Sequence, residues 1–311
     1  MNRTIIINYH YIYDQAPVLP GFRGVTTDLF LKQIAALKKH FEIISLANYV
    51  SDRKRPGRFC VLTFDDSLLE NYEIVFNILK QEKLLGTFFV PSQPYINQEL
   101  LNVQRILMLI GKLGVEEFSK KFYSLAKKIG IKREAKTIID INEAYRYDTL
   151  AVRDFKFDLN YQIKYPILGQ VLKEVFVKEF GNEQAIVEKI YMTENQLKEM
   201  EQAGMGFGIH THTHRILSRL SKTEQKVEIT KAKNFLDKTL DQDSKFISYP
   251  FGMPGTINQD TLAVLSGAGI GFGLTVYRQT NNGSEEPLLI HRYDVNDVFE
   301  TNGDLKENFI G

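Results

Sequence analysis

Phe59-Cys60-Val61-Leu62-Thr63-Phe64-Asp65-Asp66-Ser67-Leu68-Leu69-Glu70 decides the fold. Phe59 to Phe64 is an apolar run of strand length. Ser67-Leu68-Leu69-Glu70 has the S-x-x-E form of a capping box and opens a helix running to about Leu85. Gly86 stops it, and Thr87-Phe88-Phe89-Val90 is a further buried strand. Strand, helix and strand at this spacing predict parallel βα units, hence an α/β sheet or barrel. The Asp pair falls where a strand ends and a loop begins, which is where (β/α) barrels place their chemistry.

The same rhythm extends outward. Ile5 to Tyr9 is a strand, and a turn-rich stretch from Pro17 to Gly24 leads to a helix at Thr27 with Phe30, Ile34 and Leu37 at helical spacing. Phe41 to Leu46 is a second strand. From 97 to 191 the pattern changes: Leu100 to Leu113, Val115 to Ile129 and Ile167 to Phe180 read as helices, and Tyr145 to Tyr165 as irregular. The α/β pattern then returns. Thr193-Glu194-Asn195-Gln196 and Ser221-Lys222-Thr223-Glu224 cap helices, Gly206 to His210, Lys245 to Pro250 and Phe272 to Tyr277 are strands, and Asp260 to Gly267 is a helix. The expectation is one catalytic domain over 1–311 with a largely helical insertion at 97–191.

Composition narrows the function classes. Among 311 residues, 43% are apolar and 25% charged, as in a globular protein. A formal net charge of +1 supplies no field for nucleic acid. The single cysteine, Cys60, excludes an internal disulfide and a Cys-rich zinc site, and its strand neighbours predict burial. Met1 to Asn8 reads as a strand rather than a secretion signal, and no stretch approaches a membrane span, so a cytoplasmic enzyme is expected.

Two segments carry chemistry. Adjacent side chains on an extended segment point to opposite sides, so Asp65 and Asp66 need not share one task. One can hold a metal while the other accepts a proton from activated water; alone, the pair also suits an Asx turn and helix cap. His210-Thr211-His212-Thr213-His214 supplies imidazoles at short, regular spacing. Two of them with one carboxylate make a three-ligand set with room for water and substrate. A metal-dependent hydrolase is therefore expected.

These segments resemble the motifs of the polysaccharide deacetylases of carbohydrate esterase family four, over about residues 1–95 and 192–295. Thr63 to Asp66 matches T-F-D-D, His210 to His214 matches H-[ST]-x-x-H, and Ser248-Tyr249-Pro250-Phe251-Gly252 is a looser form of the third motif. The resemblance implies a distorted, incomplete (β/α) barrel. It implies a divalent cation on Asp66, His210 and His214, with Zn2+ foremost and Co2+, Ni2+ or Mn2+ as alternatives. Asp65 would be the general base. Phe251, through its backbone N–H, and Tyr249 would meet the substrate, and His212 would lie further out or face solvent.

Two departures matter. Many members carry an Arg where this chain has Ser248, and Arg292 is the candidate replacement for orienting Asp65. Both His291 and His10 are candidates for the general acid. Asn8-Tyr9-His10-Tyr11 is similar to the N-terminal motif of the poly-N-acetylglucosamine deacetylase branch, and His10 is preferred. The expected substrate is an acetylated aminosugar, oligosaccharide or polysaccharide precursor, including nucleotide- or lipid-linked forms that Lys120-Lys121, Lys127-Lys128 and Lys132-Arg133 could serve. Rival readings are deformylation of a lipid-linked aminosugar, opening of cyclic imide or allantoin-type rings, and a non-catalytic carbohydrate-binding domain.

Overall fold

The computed structural model describes residues 2–14, 16, 17, 19–131, 133 and 139–310. Met1, Val18 and Lys132, which belong to segments read above, lie outside them. Eight parallel strands share one sheet: β1 (Asn2–Tyr9), β2 (Glu42–Ile43), β3 (Gly57–Phe64), β4 (Gly86–Val90), β5 (Gly206–Ile209), β6 (Phe246–Ser248), β7 (Phe272–Leu274) and β8 (Tyr293–Asp294). Their order is β8-β1-β3-β4-β5-β6-β7, with β2 paired to β3. Ile290 bridges in parallel to Leu274 of β7, just before β8 pairs with β1. The sheet thus curls until its two edges meet at one segment, the distorted and incomplete (β/α) barrel expected from the sequence.

Both faces of the strands are buried, and period two divides them. Ile5, Ile7, Cys60, Leu62, Phe88 and Val90 join the main core, where helices cover the sheet. Ile6, Val61 and Phe89 face the other way and pack with Leu274 and Ile290. Cys60 is buried, as expected.

Register sets the chemistry at one rim. Tyr9 pairs with Phe64, so His10 and Asp65 leave adjacent strands at the same level. Asp65 N–H donates to Tyr9 O at 3.0 Å, carrying the ladder one step further. Ile209 pairs with both Val90 and Ile247, which brings His210 and Ser248 to that same edge.

Seven helices matter below: α1 (Thr27–His40), α2 (Asn102–Ile129), α3 (Leu150–Phe157), α4 (Tyr165–Phe180), α5 (Glu194–Gln202), α6 (Lys222–Leu240) and α7 (Gln259–Gly267). The capping boxes at Thr193 and Ser221 both form, with reciprocal bonds to Gln196 and Glu224. Helix α2 breaks at Gly114 (φ 73°, ψ 162°), between the two helical runs read from the sequence. None of the helices among the described residues is long and apolar enough to cross a membrane.

Four local expectations fail. The Phe41 to Leu46 strand shortens to Glu42–Ile43, because Ser45 caps a short helix, Leu46–Ser51. The Phe272 to Tyr277 strand stops at Leu274. The stretch from Tyr145 to Tyr165 contains α3, whose Phe155 wedges against the rings of Phe118, Phe122 and Tyr123 at 5.0, 6.1 and 5.8 Å. A helix this short is held by tertiary packing rather than by its own propensity. The Ser67 capping box is absent: Ser67 is left-handed (φ 52°), and the turns that follow are a π-helix over Asn71–Phe76. The backbone bends there to deliver Asp66 instead.

Helix α2 lies backbone to backbone against the Pro20-Gly21 turn. A Cβ at Gly111 would sit 2.1 Å from Gly21 N and 2.4 Å from Pro20 C, neither of which can rotate aside. Gly111→Ala should therefore cost about 1–3 kcal/mol by overpacking, read as a lower urea unfolding midpoint. An unchanged midpoint would show that the contact can be relaxed.

Candidate active site

Asp66, His210 and His214 converge, each offering one ligand atom, and those atoms all lie within 4.8 Å of one another. Asp66 Oδ1 is 3.6 Å from His210 Nε2 and 3.7 Å from His214 Nε2. These separations are too long for hydrogen bonds. They are close to what ligands about 2 Å from one shared ion leave between them. Asp66 Oδ1 is buried with no hydrogen-bond partner, an arrangement that is costly unless something fills the gap. The donor set therefore fits a divalent cation.

The imidazoles are prepared for this. His210 Nδ1 lies 2.8 Å from Ser248 O, a pure acceptor, so the proton belongs on Nδ1 and the Nε2 lone pair faces Asp66. Burial, reinforced by His210, pushes His214 down to about 4, so it is neutral at pH 7 and able to donate its lone pair. The two rings meet edge to face, 4.7 Å between centroids.

The convergence needs unusual backbone. Among the described residues nine non-glycine positions have φ in the left-handed region, and five of them, Asp66, Ser67, Thr211, His214 and Phe251, belong to this rim. Such conformations persist only where the surroundings over-determine them. Glu228 of α6, buried in the fold, supplies part of that constraint. Its carboxylate accepts from the backbone N–H of His212 (3.1 Å) and of Thr213 (2.7 Å), and from Thr213 Oγ1 (2.6 Å). His212, expected further out or facing solvent, is buried, with Nδ1 2.9 Å from Ser92 Oγ.

Asp65 faces the other way and meets Arg292. Arg292 Nη1 and Nη2 each donate to one Asp65 oxygen at 3.0 Å. The guanidinium is itself fully buried (0% exposed) and every nitrogen is used. Nε donates to Thr275 O (3.2 Å), Nη1 also reaches Asn8 Oδ1 (3.1 Å) and Thr63 Oγ1 (3.2 Å), and Nη2 donates to Ser248 Oγ (2.7 Å). Ser248 Oγ in turn donates a hydrogen bond to Asp65 Oδ2 at 2.9 Å. Burial alone would raise the Asp65 pKa, but the Arg292 charge outweighs it and holds the carboxyl well below the usual range.

The remaining sequence candidates divide. His10 lies close enough to act electrostatically on both Asp65 and His214. His291 turns elsewhere: its ring packs on Tyr277 at 5.7 Å, its N–H and C=O pair with Asn281, and the charge it feels is that of Glu285. Phe251 sits at the rim, its ring 5.3 Å from His214 and 5.7 Å from Tyr161. Tyr249 is buried in the fold. Its side chain is 1% exposed and donates to Leu288 O at 2.8 Å, because the residue after β6 alternates into the core.

Two contributors escaped the sequence reading, Glu228 and Gln104. Gln104, on α2, donates from Nε2 to Asp66 Oδ2 at 3.1 Å. The one available signal was a pair of polar residues on the buried sides of amphipathic helices.

The depressed Asp65 pKa sets the sign of a pH effect. A carboxyl more acidic in the folded chain stabilises it above the unfolded value of about 4, and that contribution is lost as pH falls toward the folded value. With chelator present, the stability gap between the intact chain and Asp65→Asn should be widest at neutral pH and shrink below about pH 4, as followed by urea unfolding. A gap that stays constant into acid would contradict the ion pair.

Residues 156–273 match the sequence model of the family described as Polysaccharide deacetylase. That span takes in the histidine motif and the third motif, while the Asp pair joins them through the fold. YxkH of Bacillus subtilis (strain 168), a protein named as a polysaccharide deacetylase, is 30% identical over 136 residues, 44% of this chain and 47% of its own. The match thus spans about half the length of that relative. The Streptococcus pyogenes deacetylase PplD, solved with acetate, shares the fold at a TM-score of 0.57 and 20% identity over 94% of this chain and 92% of its own. A de-N-acetylase from Aggregatibacter actinomycetemcomitans superposes at 0.60 with 12% identity over 99% of each chain. IcaB from Ammonifex degensii does so at 0.55 with 15% identity over 94% and 91%. At these identities the structural likeness is one of fold, and the sequence likeness to the polysaccharide deacetylases covers residues 156–273.

Proposed function

We propose that this chain is a divalent-metal-dependent carbohydrate N-deacetylase, acting on an acetylated aminosugar or a polymer containing one. The observation that carries this reading is the orphaned Oδ1 of Asp66 between two imidazoles, beside a second carboxylate, Asp65, that no ligand group shares.

Each residue then has one task. A cation held by Asp66, His210 and His214, with Zn2+ the leading candidate, would supply Lewis acidity and lower the pKa of water toward about 7. Asp65, kept ionised and aimed by Arg292, accepts the proton of the attacking water as its oxygen adds to the amide carbonyl. A carboxylate held this acidic is a weak base, so it can act only on water that has been made acidic. The tetrahedral oxyanion is met by the Phe251 N–H, which has no hydrogen-bond partner among the described residues. His10 protonates the departing nitrogen, the C–N bond breaks, and free amine and acetate leave. The ring of Phe251, partly buried at the rim beside His214, offers an apolar face to a sugar ring.

Acetate release from acetylated chitooligosaccharides or nucleotide-linked N-acetyl sugars is the direct assay. It should vanish on chelation and in Asp65→Asn, and His10→Ala should lower the rate roughly 10²–10⁴-fold, with His291→Ala close to the intact chain. Turnover undiminished in Asp65→Asn would refute the mechanism. Turnover of formylated aminosugars or cyclic imides alone would move the chain to those chemistries.

A further inference from the structure

We propose that Gln104 is a positioning residue for Asp66, which makes the inserted helical segment a working part of the ion-binding site rather than an added layer. The inference rests on the metal-centre reading above. Gln104 is 0% exposed on α2 and makes two hydrogen bonds with opposite ends of one amide. Nε2 donates to Asp66 Oδ2 at 3.1 Å, and Oε1 accepts from Tyr191 OH at 3.1 Å.

The direction of that amide is forced. Tyr191 OH accepts the Leu101 N–H at 3.4 Å, so its proton points to Gln104 Oε1. The amide NH2 must then face the carboxylate, which can only accept. With Oδ2 held this way, the Asp66 carboxyl plane is fixed and Oδ1 is turned toward His210 and His214.

The relay joins the two stems of the segment. Leu101 immediately precedes α2, and Tyr191 closes the helical stretch before the chain returns to the barrel. Tyr191 also forms an antiparallel bridge with Leu68, and Met192 N–H donates to Ser67 O at 3.0 Å. The exit stem is thereby stitched to the left-handed backbone that presents Asp66. Any displacement of α2 against the barrel becomes a rotation of the ligand carboxylate. A segment that merely covered the groove would not need this bond.

The test is zinc affinity of the full chain, by competition with a chromophoric chelator, alongside urea unfolding of the chelated protein. Gln104→Met should weaken zinc binding about 10–100-fold, the range seen when a ligand's supporting partner is removed. Tyr191→Phe, which deletes one oxygen and keeps the ring, should weaken it in the same direction by less. Zinc affinity within about twofold of the intact chain for both variants, with only the chelated stability lowered, would reduce Gln104 to packing and overturn the inference. An intact chain that binds no zinc would instead overturn the metal-centre reading, and this inference with it.

Discussion

The fork between Arg292 and Asp65 is the interaction on which the rest depends. Taking two charges out of water costs several kcal/mol per ion, and their attraction offsets this only with good geometry and every remaining donor satisfied. Here the partners come from Asn8 on β1, Thr63 on β3, Ser248 on β6 and Thr275 beyond β7. One guanidinium therefore couples three strands and the residue just past a fourth with the segment that closes the sheet. The curl of the barrel and the ionised state of Asp65 follow from the same bonds. Bidentate pairing also explains why a lysine could not substitute, since a point charge cannot hold both carboxylate oxygens in a plane.

Opposite that pair stands a second, more strained construction. Asp66, Thr211, His214 and Phe251 occupy left-handed backbone that costs of order 1–3 kcal/mol where it is unfavourable. Two buried groups hold it from behind. Glu228 grips the loop between the histidines, and Gln104 grips the carboxylate. The side chains of Asp66, His210 and His214 thus face one another as the backbone places them. Such pre-organisation trades local stability for a site that needs little rearrangement on binding.

Much of this was legible in the chain. The alternation of apolar runs with capped helices gave the parallel sheet, because both signals are local. The two motifs gave the converging side chains, because histidines rarely cluster and the Asp pair closes a strand. Position 67 was misleading: Ser-x-x-Glu is also what a tight ligand loop looks like, and only tertiary geometry decided between them. The burial of Tyr249 was not legible, because proximity in sequence to Phe251 says nothing about which way an alternating side chain points. Gln104 and Glu228 were invisible for a related reason. Their partners lie 38 and 16 residues away, and nothing in the intervening sequence reports the contact. The helix around Phe155 exists only because neighbouring rings receive it.

The closing segment of the barrel also has a consequence in time. Asp65 and Arg292 are 227 residues apart, and at 5–20 residues per second a ribosome needs roughly 10–50 s to pass from one to the other. Throughout that interval the strand carrying Asp65 has no counter-charge, so its carboxylate must stay hydrated and that rim of the nascent sheet must stay open. Sheet closure and the pairing of Asp65 with Arg292 are consequently one late event in the birth of the molecule.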